Sequence, residues 1–199
     1  MAVLRAVARL QAPRGIQAAA AAWCLVCGLL LVRGHSLSAQ TAPSREYQVK
    51  AVFLFNFAQF VEWPRAALAG ADTPLVIGVL GENPFGAYLD ETVRDEKVDN
   101  RLLEVQRYNR VEEIKTCHIL FVSRSEATRL EPILASLKDR SILVVGDADD
   151  FVQRGGMIRL ATTQNKVRLI VNVDAAKAAN LTISSKLLRS AELFTPSKK

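Results

Sequence analysis

The sequence is poor in the side chains that most catalytic and metal sites require. It holds 2 His and 3 Cys in 199 residues, and beyond residue 39 only Cys117 and His118 are left. A structural zinc site takes about four His or Cys ligands, so this pair cannot supply one. Neighbours on a strand point to opposite faces, which also argues against a thiolate–imidazolium couple. With Cys117 alone in that part of the chain, no intramolecular disulfide is expected, and a lone cysteine is most often buried.

Signatures of phosphate, dinucleotide and nucleophile chemistry are missing too. Gly81-Glu-Asn-Pro-Phe-Gly86 carries two glycines at the spacing of a phosphate loop, but Ala87 and Tyr88 stand where Lys and Ser/Thr are needed. What remains there is a turn after a strand, a place where open α/β sheets tend to bind ligands, so Asn83 and Phe85 are loop candidates for contact. Neither G-x-G-x-x-G nor G-x-S-x-G occurs. Asp147, Asp149 and Asp150 open like a calcium loop, yet Ile158 occupies the position of the bidentate Glu. Those acids read as a solvated loop and helix cap. No metal or cofactor is expected, and the chain is read as a non-enzyme. An Asp/Glu acid–base pair stays open, since it would show only as two close carboxylates with perturbed pKa values in a cleft.

A dense basic patch is likewise absent. The formal net charge is +6, but residues 1–39 hold Arg5, Arg9, Arg14 and Arg33 and no acid, so without them the charge falls by four to +2. The densest basic stretch left, Lys186 to Arg189, fits one exposed helix face, and no nucleic-acid partner is expected.

The early arginines precede an apolar run, Ala18 to Val32, and then the small residues Ser36, Ser38 and Ala39. A membrane helix needs roughly 20 apolar residues, so this shorter run reads as a secretory signal peptide over residues 1–39 and the protein as periplasmic. An uncleaved anchor is the alternative. Cys24 and Cys27 lie inside the run and not at its end, which does not fit lipid attachment. Residues 40–199 are then enough for one domain with a core of its own.

What is present is an ordered alternation. Ser44 can cap a helix from Arg45 to Glu62 that stops at Trp63-Pro64. Its apolar row is Val49, Phe53, Phe57 and Val61, and Asn56, Gln59 and Glu62 form one polar stripe. Buried-strand runs are expected at Leu75–Leu80, Leu102–Val105, His118–Val122 and Ser141–Val145. Helices fall between them, one through about Val93, a weak turn over Val111–Lys115 and one over Ala127–Leu137. Met157–Ala161 and Val167–Val171 read as an antiparallel hairpin. A helix capped by Asp174 and a last one over Ser184–Leu193 follow. The fold class is α/β, a mostly parallel sheet with helices on both faces in a Rossmann-like three-layer arrangement, plus the C-terminal hairpin.

The first helix is unusual in its aromatics. Tyr47, Phe53, Phe55, Phe57, Phe60 and Trp63 are six of the thirteen in the chain. At about 100° per residue, Phe55, Phe60 and Trp63 spread around the helix and cannot all be buried on one side. A second surface is implied, either an interface with aromatic anchors or a ligand pocket.

Lys50-Ala-Val-Phe-Leu-Phe-Asn-Phe-Ala-Gln-Phe-Val-Glu-Trp-Pro64 resembles the opening motif of the YfiR/HmsC-like family, K-A-A-F-L-Y-N-F-A-K-F-V-E-W-P. Further resemblance runs in order through Pro74–Gly81, Asn83–Gly86, Cys117–Phe121, Gly155–Ile158 and Ile183–Leu188. The resemblance implies a periplasmic protein that restrains an inner-membrane diguanylate cyclase by contacting its periplasmic sensor region, lowering cyclic di-GMP and exopolysaccharide output. It also implies that the matching Asn56, Glu62 and Trp63 are contact positions, with Phe55, Gln59 and Phe60 beside them. Gln59 and Phe55 depart from the family's Lys and Tyr. Some relatives carry a second Cys where this chain has Gly78, so a redox bridge to Cys117 is not expected here. A small-molecule binder with an aromatic-lined pocket is the alternative reading, and a homodimer through exposed aromatics is a further expectation.

Overall fold

A residue before proline is driven out of the helical region, so the first helix cannot run past Trp63-Pro64. The break comes earlier than the sequence implies. In the computed structural model, which describes residues 43–68, 70 and 73–195, α1 runs over Arg45–Phe60. The leader expected at residues 1–39 lies outside the described residues. Val61 is already extended, and Val61–Glu62 forms a short strand, β1, that pairs antiparallel with Thr182–Ile183. Backbone pairing with a distant segment thus takes the residues that a helical pattern assigns to a last half-turn. Ser44 occupies the N-cap position, but its side chain makes no capping bond.

The buried face of α1 is also rotated from the expected one. Lys50, Ala51, Leu54, Phe57 and Ala58 are buried, whereas Val49 and Val52 are 40% and 41% exposed. A lysine on the row Lys50-Leu54-Phe57-Val61 disguises that row, so a count of apolar residues favours its neighbour.

The remaining elements, in chain order, are β2 (Leu75–Leu80), α2 (Tyr88–Val93), β3 (Lys97–Val98) and β4 (Arg101–Tyr108). They are followed by β5 (Ile119–Val122), α3 (Leu130–Ser136), β6 (Leu143–Gly146), β7 (Ile158–Thr163) and β8 (Lys166–Val171). The chain closes with α4 (Val173–Ala178), β9 (Thr182–Ile183), α5 (Ser185–Leu188) and β10 (Glu192–Leu193). The main sheet has the order β10-β8-β7-β6-β5-β2-β4-β3. β4, β2, β5, β6 and β7 run parallel, β8 runs antiparallel to β7, and β3 runs antiparallel to β4. The class is α/β with a mixed sheet.

Register separates the two faces. Gly78, Leu120 and Val144 lie side by side across β2, β5 and β6, and Val79, Phe121 and Val145 form the next row. Successive strand residues face opposite ways. Phe121 stacks edge-on against Phe85, which meets Tyr47 of α1, so the second row faces α1. Val144, Leu134 of α3 and Ala178 of α4 line one shallow pocket on the other side.

Several helices are shorter than their patterns imply. Pro132 fits only the first turn of an α-helix, and the segment before it, Arg124–Arg129, winds as a 3-10 helix. Val111–Glu113 is 3-10 as well. The helix assigned to an Asp174 cap starts two residues earlier, with Asn172 as the cap, accepting from the Ala175 amide at 3.0 Å. The last helix stops at Leu188, since Glu192–Leu193 is drawn into the sheet beside β8.

Candidate functional site

α1 spans the sheet from the carboxyl end of its parallel strands to the amino end, and each end is fastened by a different chemistry. At the amino end, Trp63 Nε1 donates to the His118 carbonyl at 3.2 Å, with the two rings edge to face at 6.1 Å. His118 is fixed in turn. Its Nδ1 accepts from the Val76 amide at 3.0 Å, which places the ring proton on Nε2, 3.3 Å from the Ala67 carbonyl. Burial holds its pKa below the ordinary value, so the ring stays neutral.

Beside Trp63 opens a cleft of about 600 Å³. One wall is the end of α1 and β1, with Gln59, Glu62 and Trp63, and the floor includes Leu68 and Leu75. The opposite wall is the β3–β4 hairpin, with Lys97, Asp99 and Arg101. Asp99 and Asn100 both have positive φ, 50° and 64°, as a tight two-residue turn of this hand requires. Arg101 Nη1 donates to the Thr73 carbonyl and to its hydroxyl, both at 2.9 Å. Gln59, Glu62, Lys97 and Asp99 are all exposed.

Of the expected site residues, the structure therefore brings Gln59, Glu62 and Trp63 to one cleft. Phe55 and Asn56 are half-buried and Phe60 carries the Lys186 ammonium over its ring at 5.1 Å; none of the three lines that cleft. The loop candidates serve packing. Phe85 is 0% exposed, wedged between Tyr47 and Phe121, and therefore has no surface to offer a ligand. Asn83 closes its own turn, accepting from the Phe85 amide at 3.1 Å and donating to the Gly86 carbonyl at 3.0 Å.

The carboxyl end holds a charge cluster that the sequence reading missed. Asp147, expected in a solvated loop, is fully buried just after β6. Its Oδ2 accepts from Lys50 Nζ at 2.7 Å and from the Tyr47 hydroxyl at 2.9 Å. Lys50, also 0% exposed, lies 2.5 Å from Glu46 Oε1 and 4.6 Å from the centre of the Tyr47 ring. Arg124 Nη2 donates to the Asp147 carbonyl at 3.0 Å, and its Nε is 3.6 Å from Oδ1. Only Asp149 and Asp150 behave as the solvated acids expected, pairing with Arg159 and Arg154.

This cluster is the nearest thing to a carboxylate pair, Glu46 and Asp147 sharing one ammonium. Burial alone would raise the Glu46 carboxyl, but hydrogen bonds from Lys50 and Thr162 and the Lys50 charge outweigh it and hold the pKa below its ordinary value. An acid–base pair needs one carboxyl pushed up so that it keeps its proton. Glu46 is moved the other way, in keeping with charge balance against Lys50. Burial and the Asp147 carboxylate push the Tyr47 hydroxyl up, keeping it a donor. Cys117 is buried, its thiol pushed up to about 12 by desolvation, and it is inert as a nucleophile at neutral pH. Among the described residues no three His, Cys, Asp or Glu side chains gather as a metal site would require, and no helix is long and apolar enough to cross a membrane.

The chain belongs to the YfiR/HmsC-like family, whose model matches residues 47–192. Proteins of that family are periplasmic regulators in cyclic di-GMP signalling. Among curated proteins none matches significantly. Among solved structures, the chain is similar to the ABC domain in complex with L-Trp from Streptococcus pneumoniae, at 13% identity and a TM-score of 0.46, over 60% of this chain and 55% of that one. It is similar too to a conserved domain protein from Vibrio cholerae, at 13% identity and a TM-score of 0.49, over 78% of this chain and 62% of that one. The chain thus matches less than two thirds of either structure.

Proposed function

We infer that this protein is a periplasmic binding protein that represses an inner-membrane diguanylate cyclase by holding the cyclase's periplasmic sensor region in its inactive state. Family membership across residues 47–192 carries the reading. Physically, no catalysis is required. A protein that binds the inactive state of a receptor more tightly than the active one shifts the receptor toward the inactive state by its difference in affinity. Trp63, Glu62 and Gln59 are the contact residues of this reading, because they keep exposed or half-exposed surface at a rigid position.

The test is capture in the native compartment. The full chain, tagged at its C-terminus and crosslinked in living cells, is expected to recover a membrane protein with a cytoplasmic diguanylate cyclase domain, linked through its periplasmic segment. Recovery of other partners in place of a cyclase, or a tagged chain confined to the cytoplasm, would contradict the reading.

A further inference from the structure

We propose that the β3–β4 hairpin is the second half of the partner-binding surface, and that the cleft between it and Trp63 accepts a protein segment bearing an apolar side chain flanked by charges of both signs. The proposal rests on the regulatory reading above and names the chemistry of its partner.

Charges of both signs face the cleft without pairing there. Glu62, Lys97 and Asp99 make no hydrogen bond or ion pair through their side chains among the described residues. Unpaired exposed charges are common on this domain, so what marks these residues is that both signs gather at one cleft. Two acids and two bases thus face one cleft without settling on each other. An anionic membrane or a nucleic acid would need a surface of one sign. Balanced charges call for a partner that carries both, which is the chemistry of a folded protein segment.

A narrow apolar strip of the cleft's lining comes from the half-buried Leu68 and Trp63, backed by the buried Val61, Leu75 and Val98, and the polar groups around it stand exposed. An apolar centre inside a polar rim is the pattern of protein interfaces. A small-molecule pocket instead aims a few buried polar groups at its ligand. The half-buried indole donor here, Trp63 Nε1, is already committed to the His118 carbonyl.

Both walls are tied to the fold, the hairpin by the pairing of Lys97 with Leu102 and Val98 with Arg101, and Trp63 by its bond to the His118 carbonyl. Pre-ordered groups lose little freedom on association, which favours binding.

The test uses cells lacking the gene, complemented with the full chain or with Lys97→Glu, Glu62→Lys or, as a control at a distant exposed charge, Lys166→Glu. Cyclic di-GMP, protein abundance and thermal midpoint are measured for each. The proposal predicts that Lys97→Glu and Glu62→Lys each restore at least about half of the rise seen on deletion, while abundance and midpoint match the parent chain, and that Lys166→Glu represses fully. Full repression by Lys97→Glu, in a strain where deletion does raise cyclic di-GMP, overturns the proposal and leaves the regulatory reading standing. No rise on deletion removes both. A dipolar metabolite that copurifies and shields Lys97 from amine labelling, with repression intact in the reversals, would assign the cleft to a small molecule and overturn the proposal.

Discussion

Lys50 and Asp147, 97 positions apart, meet at 2.7 Å with neither side chain reaching solvent. The contact ties the first helix to the carboxyl end of β6. Desolvating two charges is costly, and removing one partner strands the other in a medium that cannot solvate it.

Lys50→Met is therefore expected to destabilise the domain by about 3–5 kcal/mol, and Asp147→Leu by a similar amount. The double variant should lose much less than the sum, because no buried charge is left unpaired. Urea unfolding of the four proteins measures this coupling directly. Additive losses would mean that Glu46 and Arg124, and not the pair itself, carry the balance.

Stability should fall as pH drops below about 6.5, the ordinary histidine value. Burial depresses the His118 pKa in the folded state, so the unfolded chain binds the extra proton first. The contribution is complete above the unfolded value and is lost as pH falls through the folded one. Glu46 adds a second loss at lower pH, since its depressed carboxyl stabilises the fold only while ionised. Thermal midpoints of the parent and His118→Gln from pH 7.5 to 5 should diverge, with the variant nearly flat over that range. Parallel curves would contradict the neutral ring inferred from the Val76 contact.

A β-carbon placed on Gly78 would sit 2.9 Å from Cys117 Sγ and 2.8 Å from a Tyr108 ring carbon. Gly78→Ala is expected to cost about 1–3 kcal/mol from crowding. Gly78→Cys should behave differently, because a carbon-to-sulfur separation of about 3 Å is what an S–S bond of ordinary length produces. Oxidised, that variant should gain about 2–4 kcal/mol over its reduced form, seen as a midpoint that drops on adding reductant and as the loss of two hydrogen atoms in the intact mass. A free-thiol mass under oxidising conditions would show that Tyr108 does not yield.

The central strands were legible because each is a continuous apolar run ended by a turn, and β2 falls over the expected residues, Leu75–Leu80. The two-residue strands β1, β3, β9 and β10 were not, since nothing that short has a period. They form where a distant edge offers pairing. The cleft was half legible. Gln59, Glu62 and Trp63 lie on the family-like motif, but Lys97, Asp99 and Arg101 belong to a hairpin whose sequence, Val98-Asp99-Asn100-Arg101, carries turn chemistry without announcing a site. The Lys50–Asp147 contact was hidden for a physical reason. Lysine and aspartate are normally solvated, and only tertiary structure shows that each supplies the other's counter-charge.

Periplasmic repression of a cyclase is tested by cellular cyclic di-GMP in a strain lacking the gene, complemented either with the full chain or with one lacking residues 1–39. The account predicts a rise on deletion that only the exported full chain reverses. An unchanged level, or equal rescue by the form confined to the cytoplasm, would contradict it.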